Sequence, residues 1–144
     1  MNNVTKMKIA APANEVFEAF VDPAKIKNFW FSSSSERWEA EKTFTLRYDE
    51  YNAQVDIEVK EIVANKKIVF QWGANGEGHT VTMLLEEQND SSTVIEVSEE
   101  GFNENDIDFV NQIIDNKEGW VYMLTCLKGY LESGIKNLRA GLVK

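Results

Sequence analysis

A period of two in the apolar residues marks the middle of this chain and limits the folds that it can adopt. The clearest run is AQVDIEVK at residues 53–60, in which every second side chain is apolar. Shorter runs of the same kind lie at residues 43–49, 68–72, 81–85 and 93–97. Strict alternation predicts strands that turn one face to the core and the other to water. Because short polar turns join the runs, at residues 65–67, 73–78 and 89–92, we expect an antiparallel meander.

The residues before this sheet predict one strand and two short helices. Residues 4–11 alternate, which predicts an opening strand. Pro12 stands where a first helical residue would, and apolar residues then recur at the spacing of one helical face: Val16, Phe17, Phe20 and Val21. Asp22 and Pro23 form an N-cap followed by proline at the first helical position, which starts a second helix. Its apolar face is predicted to be Ile26, Phe29 and Trp30.

A long amphipathic helix is predicted after the sheet. Its start stays open between Asn105 and Lys117, because the polar residues 115–117 interrupt the helical spacing. From Gly119 to Gly141 it would extend roughly 34 Å, similar to a ten-residue strand of about 33 Å. A helix of this length can lie along the whole dry face of the sheet. Its apolar stripe is Trp120, Met123, Leu124, Leu127, Leu131, Ile135 and Leu138.

Composition and charge exclude several classes of protein. Hydrophobic residues make up 43% of the chain and charged residues 27%, which is typical of a globular protein. The net charge of −9 disfavours nucleic acid and anionic membrane surfaces as partners. The sequence has neither an apolar stretch of about 18 residues nor a signal peptide, so we expect a cytoplasmic protein without membrane insertion. The length of 144 residues predicts a single domain over residues 1–144.

Candidate catalytic and metal-binding residues are few. His79 is the one histidine, with no serine, cysteine or second acid placed beside it, so we expect a surface or strand-end residue. Cys126 is the one cysteine, and we expect a buried, unreactive thiol. The serines at 32–35 predict a loop, the acidic run at 103–108 a helix cap, and the glycine-rich residues 73–78 a hairpin connection without a phosphate site. No catalytic residue, metal ligand or cofactor is therefore predicted.

Three charged residues could turn inward. Parity places Glu61 and Glu99 on the apolar faces of their strands, near the strand ends, and Arg47 is the third. A carboxylate inside the protein would need a partner or would change its pKa, whereas most acids at strand ends are solvated. The orientation of these side chains is left for the structure to decide.

Three sequence segments resemble one known family. They are APANEVFEAF at 11–20 with DP at 22–23 and WF at 30–31; EEGF at 99–102; and GW, ML, LK and LE between 119 and 132. Together with the order of elements, they resemble the helix-grip fold of the START-related lipid-transfer superfamily, also called SRPBCC, which includes the birch pollen allergen. Within it, the segments are similar to the branch of the heat-shock-protein-90 ATPase activator homologues. The implied α+β fold is a curved antiparallel sheet wrapped around a long C-terminal helix, with two short helices after the first strand.

The resemblance implies a pocket for an apolar small molecule or lipid, between the sheet and the N-terminal half of the long helix. On that half the implied ligand-binding residues are Trp120, Met123, Leu124 and Leu127. On the dry face of the sheet, Tyr48, Phe70, Trp72 and Met83 share the parity of the apolar residues and suit an apolar guest. For each of these side chains, simple core packing stays an equal alternative.

Three functions follow from this resemblance as expectations. The first is a binding protein for a hydrophobic small molecule or lipid. The second is an enzyme like the cyclases and dehydratases of the same superfamily, which need ionisable groups inside the cavity; this chain offers few, so catalysis is disfavoured. The third is a co-chaperone-like stress protein that acts through its surface. It would have a chaperone partner, although no sequence feature supports one.

Overall fold

Within residues 2–73 and 78–143, which the computed structural model describes, seven strands form one antiparallel sheet. The strands are β1 (Asn3–Ile9), β2 (Ser33–Ser34), β3 (Lys42–Tyr48), β4 (Ala53–Val63), β5 (Lys67–Trp72), β6 (Thr80–Glu87) and β7 (Thr93–Glu100). Their order is β1-β7-β6-β5-β4-β3-β2, so strands 2 to 7 form the predicted meander and the first strand pairs with the last. The helices are α1 (Ala13–Val21), α2 (Pro23–Ile26) and α3 (Phe109–Ser133). This curved sheet with a long C-terminal helix confirms the predicted α+β helix-grip fold.

The alternation of apolar residues sets which face of the sheet is buried. On the inner face, the side chains of neighbouring strands form one continuous core: Phe44, Leu46, Ile57, Val59, Ile68, Phe70, Val81, Met83, Ile95 and Val97. Each of these residues has its strand's inward parity, as the period of two predicts. The predicted connection at 73–78 joins β5 to β6, and its residues 74–77 lie outside the described part of the chain.

A β-bulge overturns the parity prediction for Glu61. The register between β4 and β5 shifts between Val59 and Glu61, which inserts one residue and reverses the side-chain alternation beyond it. As a result Ile62 packs against the core, while Glu61 points outward. The Glu61 side chain is 48% exposed and its Oε2 atom lies 3.1 Å from Lys67 Nζ. Arg47 is also exposed, so neither residue reaches the interior.

The two short helices begin near the predicted residues, with small differences. Asp22 caps α2 through its Oδ1 atom, which accepts the N–H of Ala24 at 2.9 Å, as predicted. Pro12 occupies the cap position of α1 rather than its first turn. Phe29 and Trp30 lie beyond the end of α2, although both are buried. The serine run contains the short edge strand β2, where a loop was predicted.

Helix α3 begins earlier and ends earlier than the segment from Gly119 to Gly141. It starts at Phe109, and residues 115–117 continue it without a break. It ends because Gly134 adopts a left-handed conformation (φ 66°), with its N–H donating to Tyr130 O and the N–H of Ile135 donating to Gly129 O. Residues 135–143 form a tail that turns back, and Leu138 packs directly over Gly129. Ile135 and Leu138 therefore belong to this tail and do not extend the helical stripe.

Candidate ligand-binding pocket

A pocket of about 450 Å³ opens between the sheet and helix α3. Strands β3, β5 and β7 supply one wall and α3 supplies the opposite wall. The 3-10 turn after β3 (Asp49–Tyr51), the segment after α2 and the C-terminal tail contribute the rest. Aromatic side chains form the largest group in the lining: Phe29, Trp30, Tyr48, Tyr51, Trp72, Trp120 and Tyr122. Met123, Cys126 and Leu142 add further apolar surface, and the polar residues of the lining are Glu99, Asp115, Asn116 and Arg139.

The pocket contains half of the residues proposed from sequence as ligand contacts. Tyr48, Trp72, Trp120 and Met123 line it. The other four are fully buried core residues that the described lining does not include: Phe70, Met83, Leu124 and Leu127. They face the same side as the lining residues but lie deeper, where neighbouring side chains already surround them. These four residues therefore occupy core positions outside the described lining.

Three tryptophans of the pocket lining pack against one another. The ring of Trp120 lies 5.6 Å from that of Trp30 and 6.3 Å from that of Trp72, centroid to centroid. Trp30 and Trp72 meet edge to face at 6.3 Å. Aromatic pairs in this distance range stabilise one another beyond their burial. These contacts hold three large flat surfaces in place around the pocket.

A buried carboxylate connects two of these tryptophans. Glu99 lies near the end of β7, is 3% exposed and lines the pocket. Its Oε1 atom accepts the indole N–H of Trp72 at 3.2 Å and that of Trp120 at 3.1 Å. Its Oε2 atom lies 2.8 Å from Nδ1 of His79. An indole N–H can only donate, so both tryptophans use the same carboxyl oxygen as their acceptor.

Neighbouring residues fix the position of the His79 ring. Its ring packs edge to face on Phe102, with centroids 4.3 Å apart, and its side chain is 34% exposed. Gly101 has a positive φ of 120°, and a Cβ atom there would lie 2.8 Å from the His79 ring. Only glycine fits that position without displacing the imidazole. His79 directly precedes β6, as predicted, and it connects the buried Glu99 to the surface.

The C-terminal tail contributes Arg139 and Leu142 to the pocket lining. Arg139 is 8% exposed, and its guanidinium forms a two-point ion pair with Glu50 at 2.5 and 2.9 Å. Its Nε atom donates to the carbonyl of Trp30 at 2.8 Å, and the guanidinium lies 5.2 Å from the centre of the Tyr48 ring. Tyr51 donates to the carbonyl of Leu142 at 2.9 Å. These contacts attach the tail to both the 3-10 turn after β3 and the segment after α2.

Burial keeps two groups of the lining in their neutral forms. Burial raises the pKa of Tyr48 to about 12, so its phenol stays protonated and donates to the carbonyl of Arg139 at 3.2 Å. Burial also raises the pKa of the Cys126 thiol. A protonated thiol is a poor nucleophile, which agrees with the expectation of a buried, unreactive cysteine.

Sequence reasoning foresaw some of these residues and missed others. Parity placed Glu99 on the apolar face of its strand but left the orientation of its side chain open, and the structure shows it buried. Trp72 and Trp120 were among the implied ligand contacts, but their pairing with Glu99, like that of His79, joins separate segments that no local pattern connects. Arg139 was missed because the helix was predicted to extend past it. Gly134 was the available signal that the helix stops before Arg139.

Among residues 2–73 and 78–143, no cluster of three or more histidine, cysteine, aspartate or glutamate side chains could hold a metal ion. In the same part of the chain, no helix combines the length and the apolar character needed to cross a membrane.

The fold and the pocket together define a helix-grip protein of the START-related superfamily. Within it, the chain belongs to the family described as Activator of Hsp90 ATPase homolog 1-like protein, whose family model matches residues 10–132. This confirms the branch that the three sequence segments resemble. No curated protein matches the chain significantly.

Solved structures of similar fold agree with this family. The crystal structure of a protein from Staphylococcus saprophyticus is 50% identical, with a TM-score of 0.83 over 94% of this chain and 95% of that chain. The solution structure of the Aha1 dimer from Colwellia psychrerythraea is 20% identical, with a TM-score of 0.80 over 93% and 98%. The crystal structure of an HSP90 activator from Plasmodium falciparum is 18% identical, with a TM-score of 0.71 over 92% and 96%. The last two establish likeness of fold.

Proposed function

We propose that this chain is a cytoplasmic binding protein that holds an apolar, ring-containing small molecule in the pocket between its sheet and α3. The observation that carries the proposal is the aromatic lining of an open pocket of about 450 Å³. Small-molecule sites span about 300–1,000 Å³ and combine apolar walls with a few polar groups. Flat indole and phenol rings suit a flat apolar guest better than a flexible acyl chain.

Direct binding to a bicyclic aromatic probe tests this proposal. For 2-naphthol, isothermal titration calorimetry should give a dissociation constant between about 1 µM and 1 mM, the range accessible to a ligand of this size. Native mass spectrometry of gently purified protein should also detect any retained ligand. Binding by neither method, at probe concentrations up to the solubility limit, would contradict the proposal.

A variant that fills the pocket locates the binding. Gly119 lines the pocket, and a Cβ atom built there meets no atom within 4 Å, so Gly119→Leu adds an apolar side chain without a clash at its base. Leucine is also a better helix former than glycine, so the fold should be retained. The matched control is Val110→Leu, which adds apolar volume at an exposed position of the same helix. We expect Gly119→Leu to weaken binding at least about tenfold, a loss of about 1.4 kcal/mol, and Val110→Leu to leave it unchanged.

The two other functions considered from sequence differ in the part of the molecule that they would use. An enzyme would use the pocket, which Glu99 lines; His79 lies 2.8 Å from Glu99 but outside the described lining. A co-chaperone would act through exposed residues, as the family name suggests, so Gly119→Leu would leave that function unchanged. Exposed apolar residues at Ile107, Val110 and Ile114 would be its first candidates for a contact surface.

A further inference from the structure

Glu99 has hydrogen-bonding capacity that the described part of the chain does not use. Glu99 is almost fully buried and lines the pocket. A carboxylate offers about four lone-pair sites. Two sites on Oε1 are taken by Trp72 and Trp120, and one on Oε2 is taken by His79. Among the described residues, one acceptor site on Oε2 therefore has no partner.

The charge in the surroundings of Glu99 is negative. Within the described part of the chain, the polar partners of Glu99 are two indoles and one imidazole, and no lysine or arginine is paired with it. Arg139 also lines the pocket, but its charge is already compensated by Glu50. A ligand carboxylate placed beside Glu99 would meet a like charge where water screens little.

We propose that Glu99 selects aromatic ligands that carry a hydrogen-bond donor, either a hydroxyl or an ammonium group, and disfavours ligands that carry a carboxylate. This inference rests on the proposed function, since it assigns a preference to the same pocket. Trp72 and Trp120 play two parts: their rings form the wall, and their N–H groups fix the carboxylate against it. His79 holds the second oxygen and limits its rotation. The result is a preference for phenols and aryl-alkyl amines over aromatic or fatty acids.

Four probes with one common ring system test this preference. They are 2-naphthol, 2-methoxynaphthalene, the ammonium ion of 2-naphthylmethylamine, and 2-naphthoate, each titrated calorimetrically into the wild-type protein at pH 7. At least one of the two donors should bind about 10- to 100-fold tighter than 2-methoxynaphthalene, which has the same ring and oxygen but no donor. The comparison between the two donors distinguishes a phenol site from an amine site. We expect 2-naphthoate to bind no better than 2-methoxynaphthalene.

The Glu99→Gln variant tests whether the Glu99 carboxylate causes the preference for ligands with a hydrogen-bond donor. Glutamine keeps the shape of the side chain and an oxygen for the two indoles, but it removes the charge. We expect the donor preference to fall below about threefold in Glu99→Gln. The control, Glu100→Gln, changes the same charge on the exposed neighbour and should keep the full preference.

Distinct outcomes refute the two proposals. The donor inference is wrong if wild-type protein binds all four probes equally, if 2-naphthoate binds tightest, or if Glu99→Gln keeps the preference. The proposed function is wrong if none of the four probes binds. Should Glu99→Gln fail to fold, the order of affinities in the wild-type protein decides the donor inference by itself.

Discussion

The ion pair between Arg139 and Glu50 offers a quantitative test of how the tail is attached. Replacing Arg139 by methionine keeps most of the apolar stem but removes the guanidinium. Three interactions are lost: the two-point contact with Glu50, the hydrogen bond to the carbonyl of Trp30, and the cation–π contact with Tyr48. Because the Glu50 side chain is 35% exposed, its carboxylate can be hydrated again, which reduces the cost of losing the pair.

The loss of stability in Arg139→Met can be worked out from the interactions that the guanidinium makes. Leaving the buried carbonyl of Trp30 without its donor costs about 1–3 kcal/mol, the cation–π contact contributes about 0.5–1 kcal/mol, and the screened pair adds a few tenths. We expect Arg139→Met to lower the free energy of unfolding by about 2–4 kcal/mol. For a chain of 144 residues this corresponds to a decrease in Tm of about 7–13 °C.

A second arginine supplies a matched control. Arg37 also forms a two-point pair with a glutamate, Glu18, at 2.7 and 2.8 Å, but its side chain is 51% exposed. Arg37→Met should therefore cost less than about 1 kcal/mol. Urea unfolding of both variants, with unchanged m values, measures the difference. If Arg139→Met costs no more than Arg37→Met, the tail is not held by the contacts described, and the reasoning fails.

Two further predictions concern the core and acid stability. Leu127→Ala should destabilise the protein by about 2–5 kcal/mol in urea unfolding, because Leu127 is fully buried and is not part of the described pocket lining. A loss below about 1 kcal/mol would contradict this, since it would indicate empty space beside the side chain. The hydrogen bond from Arg139 lowers the pKa of the Glu50 carboxyl, so the stability from this pair is complete above the ordinary glutamate value of about 4.3 and is lost as the pH falls through the lowered value. The stability difference between wild type and Glu50→Gln, measured by urea unfolding from pH 7 to pH 3, should therefore shrink below about pH 4, and a constant difference would contradict this account.

The fold was predictable from sequence because its signals are local. Alternation identified the long strands, and the Asp22-Pro23 pair marked the start of α2. Where the predictions were wrong, one residue changed the geometry of its neighbours. The bulge before Glu61 reversed the parity of β4, and the left-handed Gly134 stopped α3 before an apolar pattern that still looked helical.

The site was only partly predictable, because its polar contacts join distant segments. Parity could place Glu99 inside, but its partners Trp72, His79 and Trp120 are separated from it by 27, 20 and 21 residues. The same holds for Arg139 and Glu50, which are 89 residues apart. Parity also could not separate lining residues such as Trp72 from core residues such as Phe70, since both lie on the inner face of β5.

The indole N–H signals in a two-dimensional nitrogen–proton NMR spectrum test the binding pocket most directly. The chain has four tryptophans, each assignable by a Trp→Phe variant. On titration with 2-naphthol, the signals of Trp72 and Trp120, whose N–H groups meet at Glu99, should shift the most. The signal of Trp38, which donates to Ser34 Oγ outside the described lining, should stay in place. Shifts of equal size at all four indoles, or none at Trp72 and Trp120, would contradict a ligand site between the sheet and α3.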